Sequence, residues 1–252
     1  MPQYSQGATS HDADTPVNTG SARRATRAKG EARRRQILEA ALRIAARDGI
    51  RGVKHRPVAK EAGVPLASTT YYFKDIEELI TDAFMLFAER AYQNLELFER
   101  QLYGYLDLPE VVEHLSSAAG QQQVAGRVAE LAAAYLYNQL SNRKQDILME
   151  QVFLLEATRE AHLEKLAREY RDAWVSVVVG ILERLGTARP KRDAAMIVSV
   201  AVGLGYDGVL YSETVSMARL HDTLGRLMSL VVASSDQPAA GAQQQTLERL
   251  IS

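Results

Sequence analysis

The sequence predicts an all-α protein, and three observations carry that prediction. Apolar residues recur at helical spacing from about Glu31 onward, Gly, Pro and Asp stand where helices would start or stop, and no segment shows the alternation of a strand. At 252 residues and 46% hydrophobic, the chain can bury a sizeable core in one large or two modest domains.

Residues 1–28 are rich in Ser, Thr, Gly and Ala and almost without large apolar side chains. They bury too little to offset their ordering entropy and are expected to form a disordered arm with a basic end. In "EARRRQILEAALRIAARDGI", Ile37, Ala41, Ile44 and Ala45 then share one helical face, and Gly49 is placed to end the helix. In "VKHRPVAKEAGV", Pro57 suits a first turn, Val58, Ala59 and Ala62 give a short apolar face, and Gly63 closes it. Leu66 opens a third helix running to about Tyr72. Two brief helices hinged at "AGVP" outline a helix-turn-helix, so residues 29–76 read as one three-helix unit.

Asp75 is a plausible N-cap, with Glu78 three residues on, for a long amphipathic helix to about Leu102. Further helices are expected near 109–118, 122–141, 144–158, 160–186, 190–212 and 217–234. Residues 77–235 therefore form an all-helical body, and 236–252, low in complexity, a flexible tail.

The charge is divided between these parts. Residues 20–76 carry 14 Lys and Arg against five Asp and Glu, whereas 77–252 carry 16 against 24, although the whole chain is only −1. A basic head on an acidic body points to a polyanion partner for the head alone. With no cysteine, no apolar leader, and an uncharged apolar stretch no longer than Ala194–Tyr206, the expected location is the cytoplasm and no membrane partner is expected.

The run "STTYYFK", residues 68–74, is poor material for a core. Thr69 and Phe73 lie four apart and can face inward with Val64, which leaves Ser68, Tyr71 and Tyr72 on the opposite side with Thr70 beside them. Short hydroxyls meet base edges, and tyrosine hydroxyls and Lys74 reach phosphate oxygens. Arg56 adds a bidentate donor, and Lys54 and His55 precede it at a helix N-terminus that favours an anion. The segment reads as a recognition helix for the major groove of double-stranded DNA.

At these residues the sequence resembles the TetR family of bacterial transcriptional regulators. Its recurring pattern "TxRxIAxxAGVSxGTLYYHFxSKEEL" is matched here by "KHRPVAKEAGVPLASTTYYFKDIEEL", and the likeness covers about residues 33–80. Lys54 stands in place of a threonine, Ala67 in place of glycine, Thr69 and Thr70 in place of Leu-Tyr, Tyr72 in place of histidine, and Ile76 where a second lysine is common. The resemblance implies phosphate contacts at Lys54, His55, Tyr72 and Lys74, with base readout from Arg56, Ser68, Thr70 and Tyr71.

Two helices of the body suit a homodimer. "DAAMIVSVAVGLGYDGVLYSE" is apolar nearly all round, so one side faces its own core and another needs a partner. Gly203, Gly205 and Gly208 each cost about 1 kcal/mol in a helix interior, which close helix approach can offset. "MARLHDTLGRLMSLVVA" supplies a second stripe that includes Leu224 and Met228. The resemblance further implies a pocket for a small-molecule effector among the middle helices, with Tyr135, Phe153, Trp174 and Tyr206 as candidate contacts. Few basic groups interrupt the apolar segments, so an uncharged or weakly charged, largely hydrophobic effector is expected.

No catalytic constellation, Gly-rich phosphate loop or nucleophile elbow is present, and the pair Glu110 and His114 lacks the further ligands of a metal site. The chain is expected not to be an enzyme and to need no cofactor or metal. The expected function is a DNA-binding regulator, in the family's commoner mode a repressor, that binds a palindromic operator as a dimer and is released by the effector. The alternative is an architectural DNA-binding protein or an activator without an effector.

Overall fold

A computed structural model of the chain describes residues 19–233, and among them are ten α-helices and no strand. Of the described residues, those before Ile37 belong to one compact unit and those from Ile37 onward to another. The opening helix α1 spans Thr19–Asp48, so it starts well before residue 28, where the expected arm ended. The reason lies in "ARRATRAKGEARRR", whose Ala, Arg, Lys and Glu are strong helix formers, and Arg27 pairs with Glu31 one turn on at 3.1 Å. Residues 1–18 and the expected tail at 236–252 lie outside the described residues.

Gly49 ends α1 with a positive φ of 72°, a conformation that a Cβ disfavours. A short 3₁₀ turn leads to α2 (His55–Ala62), then α3 (Leu66–Tyr72). Gly63 closes α2 in the left-handed region, with its N–H on the Lys60 carbonyl and the Val64 N–H on that of Ala59. This Schellman cap turns the chain at the point where the glycine was read as a stop. Helix α4 (Ile76–Leu106) begins with Asp75 accepting from the Glu78 N–H at 2.9 Å, while Glu78 accepts from the Lys74 N–H at 2.6 Å. That reciprocal cap fixes how the recognition segment enters the long helix.

The remaining helices are α5 (Pro109–His114), α6 (Ala118–Asn142), α7 (Lys144–Ala157), α8 (Ala161–Arg184), α9 (Pro190–Leu210) and α10 (Met217–Ala233). The closest-packed pairs are α6 with α10, α8 with α9 and α4 with α8. One core cluster joins Ile37 and Ile44 of α1 to Val58, Phe73, Phe84 and Phe87, and continues through Phe153 to Leu163 and Tyr170. A second holds Leu102, Ala129, Leu182, Leu224 and Met228, and Trp174 packs against both.

The far end of α4 is clamped to α8. Tyr103 donates its hydroxyl to the Val177 carbonyl at 3.1 Å, and Arg184 lies 3.8 Å above its ring while pairing with Asp107 at 2.9 Å. A Cβ on Gly180 would fall 1.9 Å from the Tyr103 hydroxyl, so only glycine leaves room for this contact.

Counted through Asp193 and Asp207, α9 is long and apolar enough by length and composition to cross a membrane, although its uncharged stretch is shorter. Only 28% of that apolar window is buried inside the chain. It packs on α8 and α7 along one side, which leaves the other side open.

Candidate nucleic-acid interface and internal cavity

Helix α3 divides as its period dictates. Thr69 and Phe73 are fully buried and Val64 nearly so, which places Tyr71 outward at 81% exposure. Thr70 is exposed with Tyr71, while Ser68 and Tyr72 are half-buried, and the two tyrosine rings meet edge-on at 5.0 Å. Thr69 is anchored by donating to the Leu66 carbonyl at 2.8 Å. Thr70 donates to Ala67 at 3.2 Å, so its hydroxyl proton is engaged by its own helix and its outward groups are an acceptor oxygen and a methyl.

Around this helix Lys54, Arg56 and Lys74 are exposed and make no ion pair among the described residues, and His55 is half-buried. The buried Nδ1 of His55 has no hydrogen-bond partner. Other cations of the head serve structure. Glu61 of α2 holds Arg43 at 2.9 Å and Arg47 at 3.4 Å, bracing α1 on α2 and drawing its own carboxyl below the usual range, chiefly through the hydrogen bond from Arg43.

A cavity of about 170 Å³ lies in the body, walled by α4, α6, α7, α8, α9 and α10. Of the four candidate ligand contacts, Tyr135 and Trp174 line it; with Phe98 they form an aromatic wall with centroids 4.5 to 6.5 Å apart. Phe153 does not line it. It is fully buried 4.8 Å from Phe84 and 6.1 Å from Tyr170, within the core. Nor does Tyr206 line it, because the cavity-facing position is its neighbour Gly205 and Tyr206 points outward at 51% exposure.

The polar part of the wall escaped the sequence reading. Glu150 of α7 accepts a hydrogen bond from the buried Tyr170 hydroxyl at 2.8 Å. Burial lifts the Glu150 carboxyl above its ordinary range, opposed by the Tyr170 hydrogen bond and by Arg171. Burial also raises Tyr170 well above a free phenol, with Glu150 adding to the shift. The buried Trp174 indole N–H makes no close hydrogen bond, although it lies near enough to the Tyr170 hydroxyl to oppose that rise. A sequence signal existed: in "DILMEQVFLLEA", Glu150 falls on the same face as Ile147, Phe153 and Ala157. Arg90 lines the cavity too and is ion-paired with Glu39 of α1.

The residues read as an interface between chains divide in the same way. Leu224 and Met228 are buried in the chain's own second core, and Gly208 is pressed on α6, where a Cβ would lie 2.4 Å from Leu140 Cδ2. Gly205 is buried at the cavity wall with Ile147 nearby, and only Gly203 is exposed. The open side of α9 carries Met196, Gly203, Tyr206 and Leu210, three to seven residues apart. Among the described residues no group of three His, Asp or Glu stands close enough to hold a metal.

Fold and exposed helix together define a helix-turn-helix regulator with an all-helical body. Residues 37–83 match the family model described as bacterial regulatory proteins, tetR family, and 119–230 match that of the tetracyclin repressor-like C-terminal domain. The HTH-type transcriptional regulator PksA of Bacillus subtilis (strain 168) is 40% identical over 60 residues, 24% of this chain and 29% of that protein. The matched stretch thus covers less than a third of that relative. A transcriptional regulator from Rhodococcus sp. Rha1 shares the fold, with a TM-score of 0.65 at 18% identity over 81% of this chain and 98% of that one. The multidrug binding protein EbrR complexed with malachite green gives 0.52 at 25% identity over 77% of this chain and 96% of that one. The chain belongs to the TetR family and is a DNA-binding transcriptional regulator.

Proposed function

We propose that the protein is a cytoplasmic, dimeric repressor that holds a palindromic operator and releases it when a small molecule enters the cavity. The observation that carries this reading is the position of α4. Its capped start follows the recognition segment directly, its middle lines the cavity from Phe87 to Phe98, and its end is clamped on α8. A ligand that spreads the walls therefore pushes on a helix held at one end and joined to the DNA-binding head at the other. Arg90 adds a second link, since it touches both the cavity and Glu39. The bound malachite green of EbrR supports a small-molecule role for the body of this chain as well.

In this reading Lys54, His55, Tyr72 and Lys74 hold phosphates, and Arg56, Ser68, Thr70 and Tyr71 read bases. Two heads must stand about 34–36 Å apart to enter successive major grooves. The open side of α9 is the proposed dimer contact, with Gly203 allowing close approach. Lys74→Ala is expected to weaken binding to all DNA sequences alike and to flatten the salt slope by about one unit. Tyr71→Ala should instead change sequence preference, by roughly 1–3 kcal/mol at the bases it meets. Titrating both variants on specific and random duplexes across a salt series checks this. Unchanged affinity and selectivity in Tyr71→Ala would place the reading face elsewhere.

A further inference from the structure

Burying a carboxylate is unfavourable unless an opposite charge compensates it. Yet α7 turns the half-buried Glu150 toward a cavity whose other walls are mainly apolar and aromatic. Tyr170 gives that carboxylate one hydrogen bond, and among the described residues no cation lies within ion-pair distance of it. Of the two arginines of the wall, Arg90 is held by Glu39, and Arg171 donates to the Ser199 hydroxyl at 2.9 Å and favours the ionised Glu150 only from beyond ion-pair distance. Beside the carboxylate stand Trp174, Tyr135 and Phe98, whose ring faces carry negative electrostatic potential. Carboxylate and rings favour the same charge.

We propose that the effector is an aromatic cation, with its positive charge on Glu150 and its ring against Trp174, Tyr135 and Phe98. This gives a definite sign of charge to the uncharged or weakly charged ligand expected from the sequence, and it rests on the reading of the cavity as the effector site. Selectivity comes from the counter-charge, because a neutral ligand leaves Glu150 unpaired and an anion is repelled by it. Binding therefore requires Glu150 ionised and weakens as the pH falls through its raised titration range. The charged and titratable groups facing it are Tyr170 and Arg171 on α8, Asp146 on its own helix, Arg90 on α4 and Tyr135 on α6. Asp146 is a second carboxylate on the wall, so a Glu150 variant must accompany the pH series.

The test is equilibrium dialysis of the full-length protein, without DNA, against three ligands built on one naphthalene ring. These are trimethyl(2-naphthyl)ammonium, 2-naphthyl methyl ketone and 2-naphthalenesulfonate, carrying +1, 0 and −1. The cation is expected to bind roughly tenfold tighter than the ketone, with the sulfonate weakest. Glu150→Gln should bring the cation to the ketone's affinity, leave the ketone unchanged and remove the pH dependence, while Glu150→Asp retains part of the preference. Equal affinity for all three, or a cation preference that persists in Glu150→Gln, overturns the proposal. Should Glu150→Gln fail to fold, the wild-type pH series and Glu150→Asp decide the same point: a cation affinity flat from pH 4.5 to 8 overturns it. Binding of none of the three overturns the effector reading of the cavity and this proposal with it. A cation that binds through Glu150 yet leaves operator affinity unchanged overturns the release reading alone.

Discussion

Aspartate at both Tyr206 and Leu210 is expected to leave the protein monomeric and to weaken operator binding by about a thousandfold or more. Both side chains are more than half exposed on the chain itself, so the changes cost little folding free energy, about 0.5 kcal/mol each. In a dimer that meets along the open side of α9, they place four carboxylates in an apolar contact. A monomer has one recognition helix and one half-site, and it loses most of the factor of roughly 10³ or more that separates specific from non-specific binding. Sedimentation equilibrium and operator anisotropy on the same sample check both halves of the prediction. A double variant that stays dimeric and binds tightly would move the interface off α9. Gly208→Ala serves as the contrast: its new methyl meets Leu140 inside the chain, so it should lower stability and leave the dimer contact alone.

Phe153→Ala is expected to destabilise the folded chain by about 3–5 kcal/mol. The ring is fully buried and packs on Phe84, Phe87 and Tyr170, in the cluster that also holds Phe73 beneath the recognition helix. Removing it leaves a void in the core that joins the head helices to α7 and α8. Denaturant unfolding followed by circular dichroism measures the loss. Cavity ligands should bind the folded variant at near wild-type affinity, because Phe153 does not line the wall. A variant of normal stability that no longer binds them would return Phe153 to the ligand site.

The contrast between Phe153 and Glu150 shows what the sequence made legible. Periodicity and caps gave the helices: Gly49 and Gly63 end α1 and α2, the Asp75–Glu78 box starts α4, and the later helices fall within a few residues of their expected bounds. The inward side of α3 was legible too, because a seven-residue helix on a small core has only one way to bury Thr69 and Phe73, whereas Ser68 and Tyr72, expected outward with Tyr71, are half-buried. Interior positions were not. An aromatic residue in an apolar helix looks the same from sequence whether it meets a core, a cavity or solvent, and Phe153, Trp174 and Tyr206 meet one each. Likewise Gly203, Gly205 and Gly208 share a helix but point to three different surroundings. The early start of α1 was missed because a polar, arginine-rich run was weighed for burial and not for intrinsic helix propensity.

In the proposed mechanism, cavity and operator compete through the shared helix α4. Linkage requires that a ligand and the operator weaken each other by one common factor. The direct measurement is operator affinity with and without the tightest-binding ligand of the naphthalene series, paired with that ligand's affinity in the presence and absence of operator. Both ratios are expected to agree, and a coupling of roughly 1–3 kcal/mol puts them between about 5 and 150. A ligand shown to occupy the cavity while both ratios stay at one would contradict the account.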